Sequence, residues 1–89
     1  MLRKEISTSE LNEGVMLLQA KLLRRLEQKG YGAHASSHEI LGILEEELLE
    51  YKMAVHGNLT KDEKVDELLD IAVGCLFGIA SIRSDKVDW

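Results

Sequence analysis

Glu47-Leu48-Leu49-Glu50 and Glu67-Leu68-Leu69-Asp70 repeat one pattern, two acids three residues apart with leucines between, on either side of Gly57-Asn58. On a helix, residues three apart are surface neighbours, so Glu47 sits beside Glu50 and Glu67 beside Asp70. Gly-Asn is turn chemistry, and the stretch from Glu46 to Asp70 reads as a helical hairpin. Glu50 lies eight positions before Asn58 and Glu67 nine after it. At about 1.5 Å per residue both fall roughly 12–14 Å from the turn, opposite each other on antiparallel helices. Glu47 and Asp70 match one turn deeper. Four carboxylates from two helices would then converge, and a cation would relieve their repulsion.

Working outward, three helices announce themselves by one device. Ser7-Thr8-Ser9-Glu10, Ser36-Ser37-His38-Glu39 and Thr60-Lys61-Asp62-Glu63 each place a hydroxyl at the N-cap and Glu three residues on. The first helix is expected over 8–29, with Leu11, Val15, Leu18, Leu22 and Leu26 as its apolar stripe. Lys21, Arg24 and Arg25 crowd its last turns, where cations suit the C-terminal dipole; the functional alternative is contact with a bound phosphate. The second helix is expected over 37–56, with Leu41, Leu44, Leu48, Tyr51 and Val55 as its buried seam. Glu47 would fall about 60° off that seam and Glu50 about 120° off, among the apolar shoulder residues Ile40, Ile43 and Ala54.

The third helix, expected over 61–83, is apolar around nearly its whole circumference from Leu68 to Ile82. Such a helix must be covered all round, which two partner helices in one short chain do not achieve. Self-association into a larger bundle is the expectation. One stripe is different: Glu63, Glu67, Asp70, Gly74 and Ser81. Gly74 and Gly78 form G-x-x-x-G, which in a water-soluble chain records close helix packing, and Gly74 leaves room beside Asp70 for a helix or a ligand.

Composition bounds the function. Eighty-nine residues make one domain, and the single Phe and absence of proline favour an all-α fold over a β-sandwich. A net charge of −5 argues against nucleic acid held through its backbone. The apolar run of the third helix is too short to span a bilayer and carries Asp70, so no membrane role is expected. One cysteine rules out an internal disulfide and suits the reducing cytoplasm.

Acidic runs on helices are usually solvated faces, but these acids flank apolar positions, share one spacing and match in depth. Oxygen-only ligands select hard cations, Mg2+ or Mn2+, over zinc or copper. Mg2+ on carboxylates keeps positions for water and phosphate oxygens, which points to a phosphorylated substrate. A di-iron bundle would want Glu-x-x-His, which is not the pattern here. His34, His38 and His56 read as surface or capping residues, and Cys75 as a small core residue.

Glu46-Glu47-x-x-Glu50, a spacer and Glu67-x-x-Asp70 resemble the signature of the MazG-like all-α nucleoside triphosphate pyrophosphohydrolases. His38-Glu39 followed by an apolar run into Glu46-Glu47 is similar to small members of that family, and the resemblance covers about His38 to Ile82. It implies Mg2+-dependent cleavage of a nucleoside triphosphate to the monophosphate and pyrophosphate, of the kind used in nucleotide-pool housecleaning, by a homodimer or homotetramer. By position it makes Glu47, Glu50, Glu67 and Asp70 metal ligands, and Glu46 a further acid, either a ligand or a group that orients the attacking water. Glu46 and Glu47 are then the acids nearest the chemistry. Tyr51 and Trp89 are the side chains able to stack on a base. The rival expectation is a non-catalytic helical dimerisation or partner-binding module that keeps its acidic cluster for metal-dependent stability.

Overall fold

The computed structural model describes residues 2–87, all of whose regular structure is helical: α1 (Thr8–Lys29), α2 (Ser37–His56) and α3 (Lys61–Arg83). The caps explain where each begins. Ser7 and Glu10 close a full capping box, each side chain bonded to the other's backbone N–H. Ser36 accepts from the Glu39 N–H, and Thr60 accepts from the Glu63 N–H while its hydroxyl donates to the Glu63 carboxylate. Between α2 and α3 the left-handed residue is Asn58, at φ 55°, and not Gly57. Asn tolerates that conformation by bonding locally, and the Leu59 N–H closes the turn on the Ala54 carbonyl at 3.0 Å.

Helix α3 is central. Both α2 and α1 pack on it, and α1 and α2 do not pack on each other. Its inward face is the stripe that the sequence marks as exceptional: Gly74 and Ser81 are buried with Val73, Phe77 and Gly78, and Glu67 and Asp70 are half-buried beyond them. The physical reason is size. A Cβ on Gly78 would meet the Ile40 side chain at 3.1 Å, and one on Gly74 would meet Leu44 at 3.4 Å and the Glu47 carboxylate at 3.5 Å. The two glycines thus form a groove into which α2 settles.

That groove rotates α2 away from the expected seam. Leu41, Leu48 and Val55 are exposed, and Leu44 and Tyr51 are only half-buried. The face actually packed runs through Ile40, Leu44, Glu47, Tyr51 and Ala54, the last fully buried. It has the same 3-4 spacing, shifted part of a turn, because α3 offers small residues where leucines would need a hole. The α1 stripe is covered only along Leu18, Leu22 and Leu26; Leu11 and Val15 are exposed.

Little is enclosed. Ala54, Val73 and Phe77 are the buried apolar residues, while Leu68, Leu76, Ile79 and Ile82 of α3 face outward, Ile79 at 55% exposure. The radius of gyration is 14.9 Å, with extents of 46 × 29 × 28 Å, against about 12 Å for a compact chain of this length. Among the described residues, no helix is long and apolar enough to cross a membrane. Trp89 lies outside the described residues.

The glycine groove is testable by adding single methyl groups. Gly14 is exposed in mid-α1, and a Cβ placed there would meet nothing within 4 Å. Gly14→Ala should therefore gain about 0.5–1 kcal/mol from helix propensity alone. Gly78→Ala brings the same propensity but must push Ile40 outward, and urea melts should show it no more stable than wild type. Equal gains at both positions would mean that α2 does not seat in the groove.

Candidate functional site

A cleft of about 540 Å³ lies between the three helices. Glu46, Glu47 and Glu50 of α2 and Asp70 of α3 line one side, and Lys21, Arg24, Arg25, Gln28 and Lys29 of α1 line the other. Its apolar floor includes Ile43, Val73 and Gly74.

Glu47 follows from the packing of α2. It occupies the contact face, where the alternatives Ile40, Leu44 and Ala54 are apolar, and its carboxylate lies over Gly74. The angular estimate that set it 60° to the side is therefore corrected: with the seam shifted, Glu47 is inside it. Its Oε2 is buried without a hydrogen-bond partner. Burial first, then repulsion from Asp70 and Glu50, pushes the Glu47 carboxyl up to about 7, against the pull of Lys29 and Arg25. Such an orphaned oxygen is costly in a protein interior.

Glu67 repeats the situation nearer the turn. It is half-buried, and its Oε2 is likewise buried without a partner. Desolvation raises its pKa, and Glu50 and Asp70 raise it further, by repulsion and, for Glu50, by a shared hydrogen bond. The neighbours are those given by counting from the turn: Glu50 against Glu67, and Glu47 against Asp70. Glu50 and Glu46 are exposed. Glu67 does not line the cleft wall with the other acids. Among the described residues no three His, Cys, Asp or Glu side chains are gathered around one point as a ready metal cage. What does fit a hard cation is the chemistry of the donors: carboxylate oxygens only, two of them buried and unsatisfied.

The cationic wall is what sequence reasoning underrated. Lys21 is not simply a helix-end charge, because its Nζ lies 3.0 Å from Asp66 Oδ1 and 3.1 Å from Asp70 Oδ1. Desolvation acts to lower the Lys21 pKa, but the two acids outweigh it and the net shift is upward. The Arg25 guanidinium lies 3.5 Å from the centroid of the Phe77 ring, a cation–π contact that holds α1 to α3. Lys21, Arg25, Gln28 and Lys29 recur at helical 3-4 spacing, a signal that was available in the sequence.

His34 is a second correction. It is buried at 6% exposure, not a surface residue. Its backbone N–H donates to Ser81 Oγ at 3.1 Å, its Nδ1 pairs with Glu39 Oε1 at 3.1 Å, and its ring meets Phe77 edge-on at 6.2 Å. Glu39 therefore uses its backbone for the α2 cap and its carboxylate to fix the linker, and His34 joins the cleft lining. Isolated in a glycine-bearing linker, His34 carried no periodicity to reveal this. His56 is exposed near the end of α2, and Cys75 is half-buried.

Neither a family model, nor a curated protein, nor a solved structure matches the chain. The reading of the site rests on its own geometry.

The buried acids give a pH signature. A carboxyl whose folded pKa is raised binds its proton more tightly when folded, so stability falls as pH rises from about 4.5 through about 7. In chelator, wild type should be more stable at pH 5.5 than at pH 8, by on the order of 1 kcal/mol after solvent screening. Glu47→Gln should flatten most of that slope and be at least as stable as wild type at pH 8. Parallel slopes for the two proteins in thermal melts would show that Glu47 carries no buried charge.

Proposed function

We propose that the chain is a Mg2+-dependent nucleoside triphosphate pyrophosphohydrolase that releases pyrophosphate and the nucleoside monophosphate. The observation that carries the reading is a pair of unsatisfied buried oxygens on α2 and α3, Glu67 Oε2 and Glu47 Oε2, the latter in a cleft whose opposite wall is cationic. Acids on one side and Lys21, Arg24, Arg25 and Lys29 on the other suit a ligand that is itself divided, a polyphosphate carrying a divalent cation. The resemblance to the MazG-like pyrophosphohydrolases points to the same substrate class.

Glu47, Glu50, Glu67 and Asp70 are the residues to hold the cation, with Mn2+ as the substitute for Mg2+. When bound, the cation supplies charge neutralisation and Lewis acidity at phosphorus. The remaining chemistry belongs to the chain. Arg24 and Lys29 line the cleft and would meet phosphate oxygens there. Glu46, exposed in the same lining, would orient a water. The apolar floor of Val73 and Gly74 limits solvent around the reacting phosphate.

Assembly is part of the proposal. Leu68, Ile79 and Ile82 of α3 and Leu41, Leu48 and Leu49 of α2 stand exposed, and clustered apolar side chains of this kind mark interaction surfaces. A second copy, in a homodimer or homotetramer, would cover these faces. The same exposed leucines favour the second reading, a helical dimerisation or partner-binding module without catalysis.

Two measurements test the reading. Pyrophosphate release from a panel of common and modified nucleotides should require Mg2+ or Mn2+, and Glu67→Gln should reduce it at least about a hundredfold, the order seen when one preorganised electrostatic contact to a transition state is removed. Release of single phosphates, or no turnover with any nucleotide, would favour the module. Light scattering at micromolar concentration should return a dimer or tetramer; a folded monomer would overturn the assembly.

A further inference from the structure

Among the described residues, Lys21 is the α1 cation in direct ion-pair contact with the acidic wall, whereas Lys29 and Arg25 act on Glu47 without such a contact. Its Nζ lies 3.1 Å from Asp70 Oδ1 and 3.0 Å from Asp66 Oδ1, and its side chain is only 21% exposed. The two partners are unlike. Asp70 is half-buried, lines the cleft and interacts with Glu47, whereas Asp66 is 64% exposed at the side chain. The lysine thus bridges a carboxylate inside the site and one on its margin.

We propose that Lys21 is a resident counter-cation, holding Asp70 in the metal-free protein and yielding it when a divalent cation binds. The inference rests on the metal reading above and adds to it a residue that competes with the metal. An ammonium and a divalent ion sharing one carboxylate would stand within about 5 Å of each other, and their repulsion in a partly dry cleft is several times that in water. That repulsion weakens the hold of Lys21 on Asp70. Lys21 need not return to solvent, because its ion pair with Asp66 remains when Asp70 is given up. The same side chain lines the cleft with Arg24, Arg25 and Lys29, so its charge stays at the wall where an anionic ligand would bind. Lys21 is therefore a positioning residue for the acidic wall: it keeps Asp70 neutralised and in place in the absence of metal, at a cost to metal affinity.

The test is binding of Mn2+ to the metal-free full-length protein, followed by the electron paramagnetic resonance signal of free Mn2+. Lys21→Met should tighten Mn2+ binding by about three- to tenfold, the scale set by losing one or two partly exposed ion pairs. Lys21→Arg should stay within about twofold of wild type. Circular dichroism must match wild type, and Lys21→Gln replaces the Met variant if it does not. A measurement on wild type alone gives a second check: reductive methylation of Lys21, scored by mass spectrometry against exposed Lys61, should speed up several-fold on adding Mn2+. Equal or weaker Mn2+ binding by Lys21→Met, or a methylation rate indifferent to Mn2+, would overturn the counter-cation while leaving the metal reading intact. If wild type and Lys21→Met both fail to bind Mn2+, the metal reading falls and this inference with it.

Discussion

The close approach of α2 to α3 over Gly74 and Gly78 is the constraint on which the rest depends. With Ile40 at 3.1 Å and Leu44 at 3.4 Å from where side chains would begin, the two helices meet nearly backbone to side chain. The contact sets the rotation of α2 about its own axis, and that rotation carries Glu47 into the interface and turns Leu41 and Leu48 out of it. A single steric fact thus produces both the buried acid and the exposed apolar faces. Neither would arise if α3 carried alanines and leucines along that stripe.

Electrostatics and packing oppose each other here. The hairpin is held by apolar contact along Ile40, Leu44, Ala54 and Val73, yet the same interface carries Glu47 and Glu67, whose ionisation is opposed first by burial and then by the nearby acids Asp70 and Glu50. Lys21 offsets part of that cost from α1. Natural cores tolerate such conflict chiefly at functional positions, where the strain is compensated when a ligand arrives. The unsatisfied oxygens, more than the number of acids, therefore mark the site.

Much of the fold was legible in the sequence, because caps are local. Ser7, Ser36 and Thr60 with their Glu partners start helices by contacts spanning three residues, and no tertiary knowledge is needed to read them. The facing of Glu50 on Glu67 and Glu47 on Asp70 was legible too, since antiparallel helices joined by a tight turn convert sequence distance into depth. The seam of α2 was not. Leu41-Leu44-Leu48 and Ile40-Leu44-Glu47 satisfy one periodicity equally well, and only the groove on α3 chooses between them. His34 escaped for a related reason: its burial depends on Ser81 and Phe77, more than forty residues away. The spacing of Lys21, Arg25, Gln28 and Lys29 puts them on one face of α1, but that this face lines the cleft depends on how α1 docks on α3, which the spacing does not specify.

The three helices are joined unequally, and this has a mechanical side. Helix α1 touches α3 and not α2, so the cleft is open along the α1–α2 seam, and the Lys21–Asp70 ion pair ties its two walls. Its attachments are few: the Lys21 ion pairs, the Arg25–Phe77 stack, the half-buried leucines, and the linker pinned by His34 to Ser81 and Glu39. Local opening free energies follow the density of such attachments. The amides of α1 should accordingly exchange with solvent by a lower-energy opening than those of α3, in an excursion that leaves the α2–α3 hairpin folded.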